Sequence, residues 1–166
     1  MLPALLLPLT LAADPPPAPL PTVADPPAGE VASQLDRGHL ARLGVWAGAS
    51  AVGGGLAIGL GRDDPRAFGY GLQTVGWAAV NGAIVGLAWK GAGRTKTDAE
   101  VARTREVYAL NIGLDVGYVG AGLAVALASR RAGWEAAEGH GWAAVTQGAG
   151  LLVLDAVVLG RYPRVP

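Results

Sequence analysis

Three apolar stretches of this chain each carry one line of polar side chains at helical spacing. Tyr108, Asn111, Asp115, Tyr118 and Gly122 recur three and four residues apart. At about 100° per residue this gathers them within an arc of roughly 80°. Gln73, Thr74, Trp77 and Asn81 fill an arc of about 100° in the stretch before. Gln147, Gly148, Leu151 and Asp155 do likewise in the stretch after. Carboxylic acids, carboxamides and a phenol in apolar surroundings can hold a proton, bind a cation or hydrogen-bond a small polar solute. The same groups can also serve only to tie helices together, through bonds that average about 0.6 kcal/mol in membranes. A charged carboxylate at mid-bilayer costs about 2.5–3.5 kcal/mol on insertion scales. No Lys or Arg shares the depth of Asp115 or Asp155. Desolvation and a second nearby acid both raise a carboxyl pKa, so at least one proton is expected to be shared or retained near neutral pH unless a cation binds. The candidate ligand-binding set is therefore Asn81, Asn111, Asp115, Tyr118, Gln147 and Asp155, supported by Gln73, Thr74, Trp77 and Tyr108.

The elements that must position these groups are helices of bilayer length. Prolines crowd between Pro15 and Pro27, and none occurs from Arg66 to Tyr162. Four apolar runs follow the Pro-rich stretch, at about 43–61, 67–89, 107–129 and 141–160. Each reaches the ~20 residues needed to cross ~30 Å of hydrocarbon. Only Gly61 to Asp64 separate the first two, which requires a tight antiparallel hairpin; Asp64 suits an N-cap, with Pro65 at the first helical position. Thr97-Asp98-Ala99-Glu100 has capping-box spacing, and Arg130 and Arg131 complement the dipole at the other end of that helix. The expected architecture is all-α: a four-helix antiparallel membrane bundle over 30–166. Residues 14–29 read as a disordered Pro-rich linker, and 1–13 have the outline of a signal peptide without a basic n-region.

Call the side of the N-terminal lead-in, Glu30 to Arg42, side A and the opposite side B. Trp46, Trp89, Tyr108 and Tyr162 then fall at A, and Phe68, Tyr70, Trp134 and Trp142 at B, where interfacial aromatic belts belong. Asn81, Asp115 and Asp155 are expected on the A side of the midplane at similar height, with Gln73 and Gln147 together on the B side. Basic residues crowd side A, which places it in the cytoplasm, whereas a cleaved signal peptide places it outside; orientation stays open. Gln73-x-x-Gly76-x4-Asn81 is echoed by Gln147-x-x-Gly150-x4-Asp155, and two hairpins repeated in parallel orientation account for such an echo.

Composition agrees. The chain is 51% hydrophobic and 16% charged, against about a quarter charged in soluble domains. Thirteen basic and thirteen acidic residues leave no electrostatic footprint for nucleic acid. Without cysteine there is no disulfide, thiol nucleophile or Cys-based zinc site, and no cofactor motif or metal set is evident. Gly91-Ala-Gly-Arg-Thr-Lys-Thr97 fails as a phosphate loop because Thr95 precedes Lys96 and no strand leads in. His39 and His140 read as solvated flanking residues, and Ser50 as bonding its own i−4 carbonyl. Gly44/Gly48, Gly55/Gly59, Gly82/Gly86 and Gly113/Gly117 have the spacing of close helix packing. The expected partners are the lipid bilayer and either a second copy or another membrane protein. No established hydrolase spacing is present, so the reading leans away from an enzyme.

Trp77-Ala-Ala-Val-Asn81, Gly113-Leu-Asp-Val-Gly-Tyr118 and Gln147-Gly148…Leu151-Leu152…Asp155 resemble the signature stretches of an uncharacterised, domain-of-unknown-function family of small bacterial membrane proteins. The resemblance covers about Gly44 to Val158, and the family pattern has Asn near Ser50, where this chain departs. It implies a four-span protein of the bacterial inner membrane. It marks Asn81, Asp115, Tyr118, Gln147 and Asp155 as signature positions and supplies no activity.

Overall fold

The computed structural model describes residues 26–165. Residues 1–13, expected to have the outline of a signal peptide, and the greater part of the expected Pro-rich linker lie outside the described residues. Four α-helices follow: α1 (Ala28–Leu60), α2 (Pro65–Ala88), α3 (Asp98–Ala132) and α4 (Glu135–Arg161), with no strand among the described residues. The local signals act where the sequence puts them. The Asp64 carboxylate accepts from the Arg66 N–H at 2.9 Å, with Pro65 opening α2. Thr97 and Glu100 close a reciprocal capping box at the start of α3. Gly133, at φ 73°, ends α3 in the left-handed conformation, and the Trp134 N–H returns to the Ser129 carbonyl at 2.9 Å. The chain thus reverses within a few residues at each B-side turn.

All four helices are long and apolar enough to cross a membrane. Within their most apolar windows only 22% of residues in α1, α2 and α3, and 33% in α4, are buried inside the chain. The remaining apolar surface faces outward, with Leu60, Leu87, Leu110 and Val153 strongly exposed. Contiguous apolar exteriors on this scale are rare on water-soluble monomers.

α1 packs on α2, α3 on α4, and α4 also on α2, which makes α4 the inner helix; α2 and α3 do not pack on one another along their backbones. The B half is drawn tight by glycines. A Cβ on Gly71 would stand 2.6 Å from the Gly54 carbonyl, and one on Gly122 would stand 2.8 Å from the Gly141 carbonyl. Gly69 and Gly139 meet the backbones of Ala136 and Arg66 across α2 and α4, with no room for a side chain. The glycine pairs singled out by spacing are not the ones used. A Cβ added at Gly48, Gly55, Gly59, Gly82, Gly86, Gly113 or Gly117 would meet nothing within 4 Å, and one at Gly44 finds only Val85 at 3.7 Å. At the echoed glycines the surroundings differ: Gly150 seats the Trp46 ring whereas Gly76 faces open space.

Candidate functional site

The polar groups collect at the A end. α1 is one continuous helix of 33 residues, and its buried face runs Ala32, Asp36, His39, Leu40, Leu43, Ala47, Ser50, Gly54. The polar lead-in before the first apolar run, with His39 expected to be solvated, is therefore packed into the bundle. Asp36 accepts from the Tyr108 hydroxyl at 3.0 Å and from the Tyr162 hydroxyl at 3.4 Å, and it forms an ion pair with Lys96. Lys96 also donates to the Thr104 hydroxyl at 2.9 Å and the Tyr162 oxygen at 3.2 Å. Burial by itself lowers the pKa of the Lys96 ammonium. Its hydrogen bond to Asp36, with help from Tyr162 and from the Asp36 charge, outweighs that and holds it above the ordinary lysine value.

One turn along α1, the Nε2 of His39 meets the Asp155 carboxylate at 3.1 Å, with both side chains buried, and the His39 ring stands edge-on to Tyr108 at 5.2 Å. This corrects the expectation of acids without a basic neighbour: Asp155 has one, on a residue expected to be solvated. Asp115, only 3% exposed, has no such partner. Its Oδ2 is buried without a hydrogen bond among the described residues, as is the Nδ1 of His39. The two acids are not level, contrary to the expectation of similar height. The Asp115 carbonyl faces Gly148, where an added Cβ would lie 3.0 Å away, and Gly148 is two turns short of Asp155. Side chains tilt toward the N-terminus of their helix, and α3 and α4 run oppositely, so the two carboxyl groups lean toward each other across this offset.

Between α2 and α3 lies a cavity of about 500 Å³ whose lining includes Asp36, His39, Asp115 and Asp155. α2 contributes an apolar wall of Trp77, Val80, Ile84 and Ala88; α3 contributes Tyr108, Asn111, Leu114 and Tyr118. The rings of Trp77 and Tyr118, 4.8 Å apart and edge to face, close it toward B, while Gly91, Ala92 and Lys96 line it at A.

Of the residues picked from sequence, Tyr108, Asn111, Asp115, Tyr118, Trp77 and Asp155 share this cavity. Asn81 and Thr74 are buried but do not line it, and the Asn81 Nδ2 and Thr74 Oγ1 lack partners among the described residues. Gln73 is half-buried outside it. Gln147 belongs to a separate clasp. Trp46 donates its indole N–H to the Gln147 Oε1 at 2.9 Å, and the Gln147 amide donates to the Ser50 hydroxyl at 3.1 Å. Gln147 thus joins α1 to α4, and Ser50 bonds across helices in place of its own backbone. Gly150, one turn on, leaves the space that the Trp46 ring fills. His140 is half-buried, with its Nδ1 unpartnered among the described residues.

Sequence reasoning missed Asp36, His39, Lys96 and Tyr162. A signal existed for the first two: Asp36, His39, Leu40 and Leu43 continue the three-and-four spacing of the apolar face of α1.

A family model, described as a family of unknown function (DUF6992), matches residues 42–156, more than half of the chain. The chain belongs to this family. The matched span holds Lys96, Tyr108, Asp115, Gln147 and Asp155, while Asp36, His39 and Tyr162 fall outside it. Comparison with curated proteins and with solved structures found no match.

Proposed function

We propose that this DUF6992 protein is a multi-pass protein of the bacterial inner membrane. Its A-end cleft binds a proton, a monovalent cation or a small polar ligand at Asp115. The observation that carries this reading is the Asp115 carboxylate, buried, with an oxygen unpartnered among the described residues, on the wall of a cavity of about 500 Å³. Intramembrane acids are costly and concentrate at functional positions, and a buried acid that serves only as a helix tie is expected to have its bonds made. In this reading Asp155 is the second acid, steadied by His39, while Asn111 and Tyr118 supply neutral hydrogen-bonding groups beside Asp115. The test is infrared titration of the carboxyl bands in wild type and Asp115→Asn, with and without Na⁺, K⁺ or an alkylammonium salt. A band absent from the variant that moves with pH and with one of these cations supports the site. A band that answers to none of them contradicts it.

A second reading, packing against another copy or another membrane subunit, is favoured by the outward-facing Gly113 and Gly117, beside which nothing lies within 4 Å. Because the chain lacks cysteine, Gly117→Cys gives a clean test. Disulfide-linked dimer in membranes supports self-association through this face, and a strictly monomeric chain opposes it.

A further inference from the structure

Resting on the cleft reading above, we infer that the ligand is an organic monocation with an apolar body, an amphipathic amine, which enters between α2 and α3 from the plane of the membrane. Three observations converge. First, the acidic side chains lining the cavity are Asp36, Asp115 and Asp155 and the basic ones Lys96 and His39, so acids outnumber bases. Lys96 is committed to Asp36 and His39 to Asp155, which leaves the Asp115 carboxylate as the uncompensated group.

Second, the cavity is chemically divided. The α2 side offers Val80, Ile84 and Ala88 and no charged group, whereas the acids stand on α1, α3 and α4. A bare inorganic ion has no use for such a wall, but an alkyl chain does: each buried CH₂ contributes about 0.8 kcal/mol. The volume of about 500 Å³ is in the range of small-molecule sites.

Third, the mouth faces lipid. α2 and α3 do not pack on one another along their backbones, and the Trp77 and Tyr118 rings meet across the gap. The lining residues Val80, Ile84, Val107 and Leu114 are at the same time exposed on the apolar exterior. A ligand arriving that way must partition into the membrane first. A phospholipid ammonium headgroup fits less well, because its phosphate would be carried into a site already rich in carboxylates. A free amine brings only the positive charge.

The purified full chain, in a neutral detergent at fixed ionic strength, is titrated with octylammonium, ethylammonium, octanol, octanoate and sodium while its thermal unfolding midpoint is followed. Octylammonium is expected to raise the midpoint saturably, with an apparent affinity about tenfold or more above octanol, the worth of one charge-assisted hydrogen bond. Octanoate is expected to give no saturable effect. Asp115→Asn should lose that margin, and Ile84→Trp, which fills the apolar wall and keeps the acid, should weaken octylammonium and octanol and leave any response to ethylammonium or sodium unchanged. If Asp115→Asn fails to fold, Ile84→Trp decides. Should ethylammonium or sodium bind as tightly as octylammonium, the cation site survives and the apolar-body inference is overturned. Equal binding of octanol or octanoate overturns it as well, as does a co-purifying phospholipid that octylammonium cannot displace. If no cation shifts the midpoint and the Asp115 band is also silent, both readings fail together.

Discussion

The two ends of the bundle solve opposite problems. At the B end, α2 and α4 touch backbone to backbone through Gly69 and Gly139. The nearly buried Glu138 there is held by the Arg66 guanidinium at 3.0 Å and receives the Trp142 indole N–H at 3.4 Å. At the A end, α2 and α3 stand apart, and the space between them is walled by acids that are only partly paired. Small residues let helices close without a polar contribution, whereas a wide gap must be filled, hydrated or bound. The difference between the ends is thus one of residue size first and of charge second.

The largest expected effect breaks the tight end. In Gly139→Val the new side chain would enter the backbone of Arg66 and Tyr70. Because the obstruction is backbone, the cost should exceed the ~1–3 kcal/mol of ordinary overpacking, and folded yield by size exclusion in detergent should collapse. Gly117→Ala, with nothing within 4 Å, should instead gain up to ~1 kcal/mol of helix propensity. Opposite signs for the two substitutions would confirm that Gly139 lies in a closed helix contact and that Gly117 lies on an open outer face.

Next in size is His39→Ala at the open end. It leaves the buried Asp155 carboxyl without the imidazole that meets it at 3.1 Å, and a buried polar group left unpartnered costs about 1–3 kcal/mol or more. The double variant His39→Ala/Asp155→Ala should cost less than the sum of the singles, which a double-mutant cycle in thermal or denaturant unfolding would read. Additivity would mean that the pair is not formed. Gln147→Ala should cost about 1–3 kcal/mol by leaving Trp46 and Ser50 unpaired. Ligand responses of the cleft should stay unchanged in that variant, because Gln147 does not line it.

The smallest effect concerns the A-side loop. The hydrogen bond from Arg94, with further bonds at Thr97, lowers the Glu100 pKa to about 2 from 4.5. A depressed carboxylate contributes stability that is present above its unfolded value and is lost as pH falls through the folded one. Amide protection at the start of α3 should therefore decline between about pH 4.5 and 2. In Glu100→Gln that decline should be absent.

Much of this was legible in the sequence. The four helices, the Asp64 and Thr97 caps and the cavity-facing stripe of α3 follow from periodicity and turn chemistry, which act locally. The stripes of α2 and α4 were legible as stripes but not in their destinations. An arc of about 100° is wide enough to face two neighbours. Thr74 therefore meets Gly54 of α1, where an added Cβ would lie 3.1 Å away, while Trp77 on the same arc reaches the cavity. His39 escaped because hydropathy alone sets α1 as starting near Leu43, whereas its contacts with α4 draw the earlier turns inside. His39 pairs with Asp155 and Trp46 with Gln147, seven and eight residues apart on two oppositely running helices, so one axial register satisfies both. Lys96 escaped because a loop's reach depends on what it folds against, and here it folds onto Asp36.

The most direct measurement uses single cysteines in a chain that has none: Asp115→Cys beside the cavity and Ala143→Cys in the packed B half, where Ala143 is fully buried. Treated with a small maleimide in micelles and read by intact mass, the folded protein should be modified at position 115 and protected at 143 until it is denatured. Equal protection at both positions would contradict an open cleft reaching Asp115.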